Sequence, residues 1–219
     1  MNSTYDYILF DLDGTISESA PGIRRCIELT MEKLSKPCPD LSDYSKYIGP
    51  PLIDTFQRLC KLTLSEAKEA HGIYLGFYDT EGDPRNRLFD GAEEMLKALK
   101  ASDAKVALCT SKNERSATRV CEHLGVSHYF DAICGSNGTP QRREKEDIIP
   151  YAVKTLGGEI GDRVVMIGDT HFDAKGAIAN GVDFIGVTYG YGTKEAMESV
   201  GAKVFADTPS ELLSLLMSE

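Results

Sequence analysis

Tyr7-Ile8-Leu9-Phe10-Asp11-Leu12-Asp13-Gly14-Thr15 is the stretch on which the fold turns. A short apolar run closed by a glycine turn predicts a buried strand over 7–10. Two carboxylates, one residue apart, stand where that strand ends. In an open α/β sheet, ligands bind beyond the carboxyl ends of the strands. Acids placed there lose hydration and repel each other. Asp11 and Asp13 therefore point to chemistry or to a metal, and Gly14 permits close backbone approach behind them.

Outward from this stretch, further apolar runs predict strands over 106–109, 132–134, 164–167, 184–187 and, more briefly, 203–206. Near-continuous apolar runs suit a parallel sheet covered on both faces. Helical stripes lie between them. Ala92, Met95, Leu96 and Leu99 form one, opened by Asp90 and Glu93 in capping-box spacing. Ala117, Val120, Cys121 and Leu124 form another, closed by Gly125, and Ile148, Ile149, Ala152 and Leu156 a third. The alternation predicts an α/β fold with a doubly wound, Rossmann-like parallel sheet.

The connection over 17–88 carries no buried strand and is too long for a structureless loop. It is expected to be an inserted helical domain, leaving 1–16 and 89–219 as the core. Pro21 starts one helix, buried through Ile23, Cys26, Ile27, Met31 and Leu34; a second follows Pro50-Pro51. Thr63 and Glu66 cap a third, buried through Ala67, Ala70, Ile73, Tyr74 and Phe77.

A net charge of −10 over 219 residues argues against a nucleic-acid-binding surface. An anionic substrate then needs a local cation or metal. The six scattered cysteines form no C-x-x-C pair, so reduced thiols in a cytoplasmic protein are expected. Residues 1–4 are short and polar, and no apolar run reaches transmembrane length; neither a signal peptide nor a membrane partner is expected. Phosphate-binding G-x-x-x-x-G-K-[ST] and strand-linked G-x-G-x-x-G patterns are lacking, which leaves ATP and NAD without support.

Other strand ends carry matching residues: Thr110-Ser111-Lys112 after the second run, Gly168-Asp169 after the fourth, Asp173 four residues on, and Lys145 near the preceding helix. Taken singly, each has a plainer use. Asp13-Gly14 suits a turn, Asp169, Thr110 and Ser111 suit helix caps, and most lysines are solvated. Together they describe phosphoryl chemistry. Asp11, ionised at neutral pH, can attack phosphorus, and Asp13 can protonate a leaving oxygen. Asp11 and Asp169 can hold a hard divalent cation, for which Mg²⁺ is suited. Thr110 and Ser111 can bind phosphate oxygens, and Lys145 can balance the transferring group.

Asp11-Leu12-Asp13-Gly14-Thr15, Thr110, Lys145 and Gly168-Asp169-Thr170-His171-Phe172-Asp173 resemble, in order, the four motifs of the haloacid dehalogenase superfamily. The second Asp resembles its phosphatase branch, and the insert resembles its first-type helical cap. Ile48-Gly49-Pro50-Pro51-Leu52, Thr110-Ser111-Lys112 and residues 186–192 resemble the phosphoglycolate phosphatase-like group.

That resemblance implies a Mg²⁺-dependent phosphatase of a small phosphorylated metabolite, working through an aspartyl-phosphate on Asp11 with Asp13 as acid and base. It implies a metal on Asp11, the Asp13 carbonyl and Asp169, with Asp173 behind or on the metal. Thr110 and Lys145 would hold the phosphoryl group, with Arg142 and Arg143 as competitors for the Lys145 role. The same group includes nucleotidases and pyrophosphatases, and a sugar phosphomutase would share the nucleophile. A phospho-acceptor signalling domain similar to response-regulator receivers is disfavoured, because its phosphorylated Asp ends the third strand and no large insert follows its first. Thr170 stands where many relatives carry a basic residue.

Overall fold

The computed structural model describes residues 2–139 and 141–217. Met1 of the polar lead-in, and Pro140, Ser218 and Glu219 of the predicted core, lie outside the described residues. In chain order, β1 (Tyr7–Phe10) leads to β2 (Ser17–Glu18), α1 (Ala20–Lys33), α2 (Leu52–Arg58), α3 (Leu64–Phe77) and β3 (Arg87–Leu88). Then follow α4 (Ala92–Lys100), β4 (Lys105–Asn113), α5 (Glu114–His123), β5 (Ala132–Ser136), α6 (Lys145–Thr155) and β6 (Val164–Gly168). The chain ends through α7 (His171–Asn180), β7 (Asp183–Val187), α8 (Lys194–Ser199), β8 (Val204–Ala206) and α9 (Pro209–Leu216).

Six strands form one sheet in the order β5-β4-β1-β6-β7-β8, parallel throughout. Both faces are covered, which is why its strands read as apolar runs. Ile8 and Phe10 join an apolar cluster with Leu96 of α4, Val120 of α5 and Leu212 of α9. Leu9, pointing the other way, joins Ile148 of α6, Ala174 of α7 and Met197 of α8. From β1 the chain winds outward through β4 and β5, then returns to build β6, β7 and β8 on the opposite side. The order therefore reverses at β1, and the crevice beyond β1, β4 and β6 is where ligands bind in such sheets.

Between β1 and α4, β2 and β3 pair antiparallel, Ser17 opposite Leu88 and Glu18 opposite Arg87. The chain between them is helical. α1 buries Ile23, Cys26, Ile27 and Met31, and α3 opens on a reciprocal Thr63–Glu66 cap. Single turns of π-helix (Tyr78–Gly82) and 3-10 helix (Asp83–Arg85) lead back to β3.

Several local expectations fail for identifiable reasons. Asp90 does not cap α4: Gly91, at φ +83°, precedes the helix, and the Ala92 N–H closes a turn on the Phe89 carbonyl. That turn needs a positive φ at its third residue, the type II pattern, and puts Asp90 outside the capping position. β4 continues past Cys109 through polar Thr110–Asn113, where its pairing with β5 is irregular. α8 and α9, capped by Thr193 and Thr208, lie outside the helical stripes that the sequence predicts. No helix among the described residues is long and apolar enough to cross a membrane.

Candidate active site

Asp11 follows β1 directly, its N–H bonded to the Ile167 carbonyl of β6 at 2.9 Å. The next strand pair sets the rest of the crevice: Thr110 on β4 and Asp169 at the end of β6. Lys145 is the first residue of α6, and its ammonium reaches three acceptors. Its Nζ lies 2.8 Å from Asp11 Oδ1 and 2.6 Å from Asp173 Oδ1, and donates to the Cys109 carbonyl at 2.8 Å. Asp173, in the first turn of α7, also accepts from Thr170 N–H (3.1 Å) and Thr170 Oγ1 (2.6 Å).

Asp169 is fully buried, with Oδ2 accepting from the Tyr191 N–H at 2.7 Å and Oδ1 from the Thr15 hydroxyl at 3.4 Å. Glycines form its seat. A Cβ on Gly14 would fall 2.2 Å from Asp169 Oδ2, and one on Gly190 2.3 Å from Asp169 Cβ. Gly14 also sits at φ +91°, a conformation other residues rarely adopt.

Ligand oxygens of Asp11, Asp169 and Asp173 all lie within 4.8 Å of one another. Burial, reinforced by the Asp173 and Asp13 charges, pushes the Asp11 carboxyl up to about 6 against the pull of Lys145. Burial, then the Asp173 and Asp11 charges, raise Asp169 well above the carboxylate range against the hydrogen bonds from the Tyr191 and Gly192 N–H groups. Burial would depress the Lys145 ammonium, but Asp11 and Asp173 outweigh it and raise its pKa. With all three ionised, these carboxylates exceed the one ammonium by two charges, and burial together with this excess raises the pKa values of Asp11 and Asp169. Asp11 Oδ1 and Asp173 Oδ1 also lack an aligned hydrogen-bond donor, although Lys145 Nζ is at ion-pair distance. Oxygen-only donors with surplus negative charge fit a hard divalent cation such as Mg²⁺.

Asp13 turns away from this group. Its two oxygens pair with Lys112 Nζ at 3.0 and 2.7 Å, and that ammonium lies 4.6 Å from the centre of the Tyr78 ring. Lys112 carried no individual signal in the sequence. The usable clue was spacing: residues i and i+2 of a strand share a face, so Lys112 follows Thr110 into the crevice. Thr110 is buried and accepts from the Lys112 N–H at 3.3 Å, while Ser111 is half-buried at the cavity wall.

Of the three cations near 142–145, only Lys145 reaches the carboxylates. Arg142 pairs with Glu114 and stacks on Tyr151; Arg143 pairs with Asp54 and Glu144. Cys109 is buried and its thiol is pushed up by that burial, consistent with packing. His171 opens α7 with its ring against Phe172, outside the carboxylate group. Tyr189 donates to the Thr15 carbonyl and Tyr191 accepts from the Ala20 N–H, fixing the path from the motif into α1. A cavity of 290 Å³ joins Asp11, Asp13, Thr110 and Lys145 to residues of the 17–88 segment, among them Pro50, Tyr74 and Tyr78.

The family model of haloacid dehalogenase-like hydrolases matches residues 8–187. A 5'-nucleotidase from Pseudomonas aeruginosa is 34% identical over 195 residues, covering 89% of this chain and 88% of its own. The tyrosine-protein kinase PtkA of Mycobacterium tuberculosis is 32% identical over 198 residues, covering 90% of this chain and 67% of its own. The crystal structure of a predicted phosphatase from Clostridium acetobutylicum superposes with a TM-score of 0.89 at 35% identity, covering 96% of this chain and 97% of that one.

Proposed function

This chain belongs to the haloacid dehalogenase-like hydrolases and is a phosphoric monoester hydrolase, and we propose that Asp11 is its nucleophile and Asp13 its acid and base. A carboxylate oxygen of Asp11 attacks phosphorus in line, and the bond from phosphorus to the ester oxygen breaks. Asp13 gives its proton to that departing oxygen, leaving an acyl phosphate on Asp11. Asp13 then takes a proton from water, whose oxygen attacks phosphorus, and the Asp11–phosphate bond breaks to release inorganic phosphate. Lys145 holds the Asp11 carboxylate in place, and Thr110, Ser111 and Lys145 bind the phosphoryl oxygens. Lys112 keeps Asp13 at the cavity edge.

Mg²⁺ would be held by Asp11 and Asp169, with the Asp13 carbonyl as a third protein ligand and Asp173 supporting them. When bound it offsets the charge of carboxylates and phosphate together. Residues 17–88 act as a cap on a core of 1–16 and 89–219. Both cap ends meet in the β2–β3 pair, and the cavity lies where cap faces core. Closure would exclude water from the first transfer. The six unpaired cysteines favour a cytoplasmic location.

The observation that carries this reading is the Lys145 ammonium seated between Asp11 and Asp173 at the sheet's switch point. Its test is hydrolysis of p-nitrophenyl phosphate with Mg²⁺ by the native protein and by Asp11→Asn. The variant should fold and lose at least about a thousandfold in kcat. A folded variant with native turnover would overturn the assignment.

A further inference from the structure

Beyond the phosphoryl site, the cavity runs between apolar and aromatic cap residues: Ile48, Pro50, Leu52, Tyr74, Leu75 and Tyr78. Tyr74 and Tyr78 are buried and stack on one another with ring centres 5.4 Å apart, and Phe56 and Lys112 pack against them in turn, so this part of the wall is held in place. Its 290 Å³ is close to the lower end, about 300 Å³, of small-molecule sites. The lining also contains three full cations, and each is already committed to carboxylates. Lys145 pairs with Asp11 and Asp173, Lys112 with Asp13, and Arg143 with Asp54 at 2.9 Å and Glu144 at 3.3 Å. His71 lines the cap side too; burial and the nearby Arg143 lower its pKa and disfavour its charged form. Among the described residues, Arg143 is the one lining cation outside the Asp11–Asp13–Asp173 group, and Asp54 and Glu144 already hold its Nη2 and Nε.

Resting on the phosphatase reading above, we propose that the enzyme selects monoesters whose leaving group is uncharged. An aryl phosphate or a nucleoside 5'-monophosphate meets that description. Phosphoglycolate and pyrophosphate place a second anion against an apolar wall, and burying an unpaired charge is the standard physical route to rejecting a ligand. The Arg143–Asp54 pair is the specificity device: Asp54 on α2, together with Glu144, occupies the cavity-lining guanidinium that would otherwise receive a carboxylate.

The test compares kcat/KM, with Mg²⁺ present, for phenyl phosphate, adenosine 5'-monophosphate, 2-phosphoglycolate and inorganic pyrophosphate. One or both of the first two should exceed both of the last two by at least about tenfold. A lead for phenyl phosphate places the ring next to the ester oxygen; a lead for the nucleotide places it beyond a sugar. Phosphoglycolate or pyrophosphate at parity or better would overturn the proposal while leaving the phosphatase reading intact. Turnover of none of the four would remove the phosphatase reading and this one with it. Asp54→Asn supplies the second arm. Removing the Asp54 charge, with Glu144 left in place, should raise kcat/KM for 2-phosphoglycolate by at least about fivefold, with phenyl phosphate turnover and the thermal midpoint unchanged. A folded Asp54→Asn protein with no gain on 2-phosphoglycolate would overturn the role given to the pair.

Discussion

Asp11 sits in an environment that works against its own charge, and this has a thermodynamic signature. Burial, then the Asp173 and Asp13 charges, raise its pKa from 3.8 to about 6. Between those values the folded chain binds a proton that the unfolded chain does not. Stability is therefore present below the lower value and lost as pH rises through the upper one. For metal-free protein, the stability of native relative to Asp11→Asn should fall between pH about 4 and about 6, by on the order of 3 kcal/mol at most. Urea unfolding of both proteins in EDTA measures it, and a pH-independent difference would count against the strained carboxylate. At this scale the sequence was most informative where chemistry is costly. Asp11 and Asp169 each had a plainer use as turn or cap residues, and stood out only because carboxylates recurred, in order, with Thr110 and Lys145 at the ends of neighbouring apolar runs. Lys145 could not be separated from Arg142 and Arg143, because the start of α6, not composition, decides which of them points into the crevice.

Elements obeyed local rules where those rules were strong. The Thr63–Glu66 cap fixes the start of α3, and Pro51 stands immediately before α2. β2 and β3 were illegible because two-residue strands carry no period, and the polar end of β4 because its residues serve the crevice instead of the core. One repair between elements was equally hidden. Pro150 lies inside α6 and has no N–H, which removes the donor for the Glu146 carbonyl four residues earlier. Asn180, ending α7, donates its Nδ2 to that carbonyl at 3.0 Å and to the Gly176 carbonyl at 2.9 Å. The two helices approach closely enough that a Cβ on Gly176 would fall 2.4 Å from Lys145 Cβ. Asn180→Ala should destabilise the protein by about 1 kcal/mol. In a Pro150→Ala background, which restores the helix donor, the same change should cost less, with a coupling of about 0.5 kcal/mol or more. Denaturant unfolding of the four proteins in this cycle gives the coupling. Strict additivity would mean that Asn180 does not substitute for the missing N–H.

On the scale of the whole molecule, alternation of strands and helices announced a parallel sheet, yet not the order β5-β4-β1-β6-β7-β8, since every strand is comparably apolar. The sheet divides the interior in two. One apolar cluster runs from the face bearing Ile8 and Phe10 into the 17–88 segment at Ile27 and Phe56; the other stays beneath α6, α7 and α8. Among the described residues the 17–88 segment thus shares apolar packing with one side of the sheet only, with Arg143–Asp54 and Arg119–Asp83 as charged ties to the rest of the chain. Around this frame the chain carries a net charge of −10. A phosphate monoester brings close to two further negative charges at neutral pH. The molecule as a whole therefore repels its substrate, and attraction is confined to the crevice, where the positive charge of Lys145 and a bound divalent ion is short-ranged once neighbouring carboxylates are counted. Salt screens the distant repulsion more than the buried contacts, because the Debye length shrinks to about 8 Å at physiological ionic strength. At saturating Mg²⁺, kcat/KM for a dianionic ester should rise, by roughly twofold, as ionic strength increases from about 0.02 to about 0.15 M, with kcat nearly constant. Steady-state kinetics in a series of inert salt concentrations decides this, and a fall in kcat/KM would show that positive potential at the crevice mouth outweighs the charge of the whole chain.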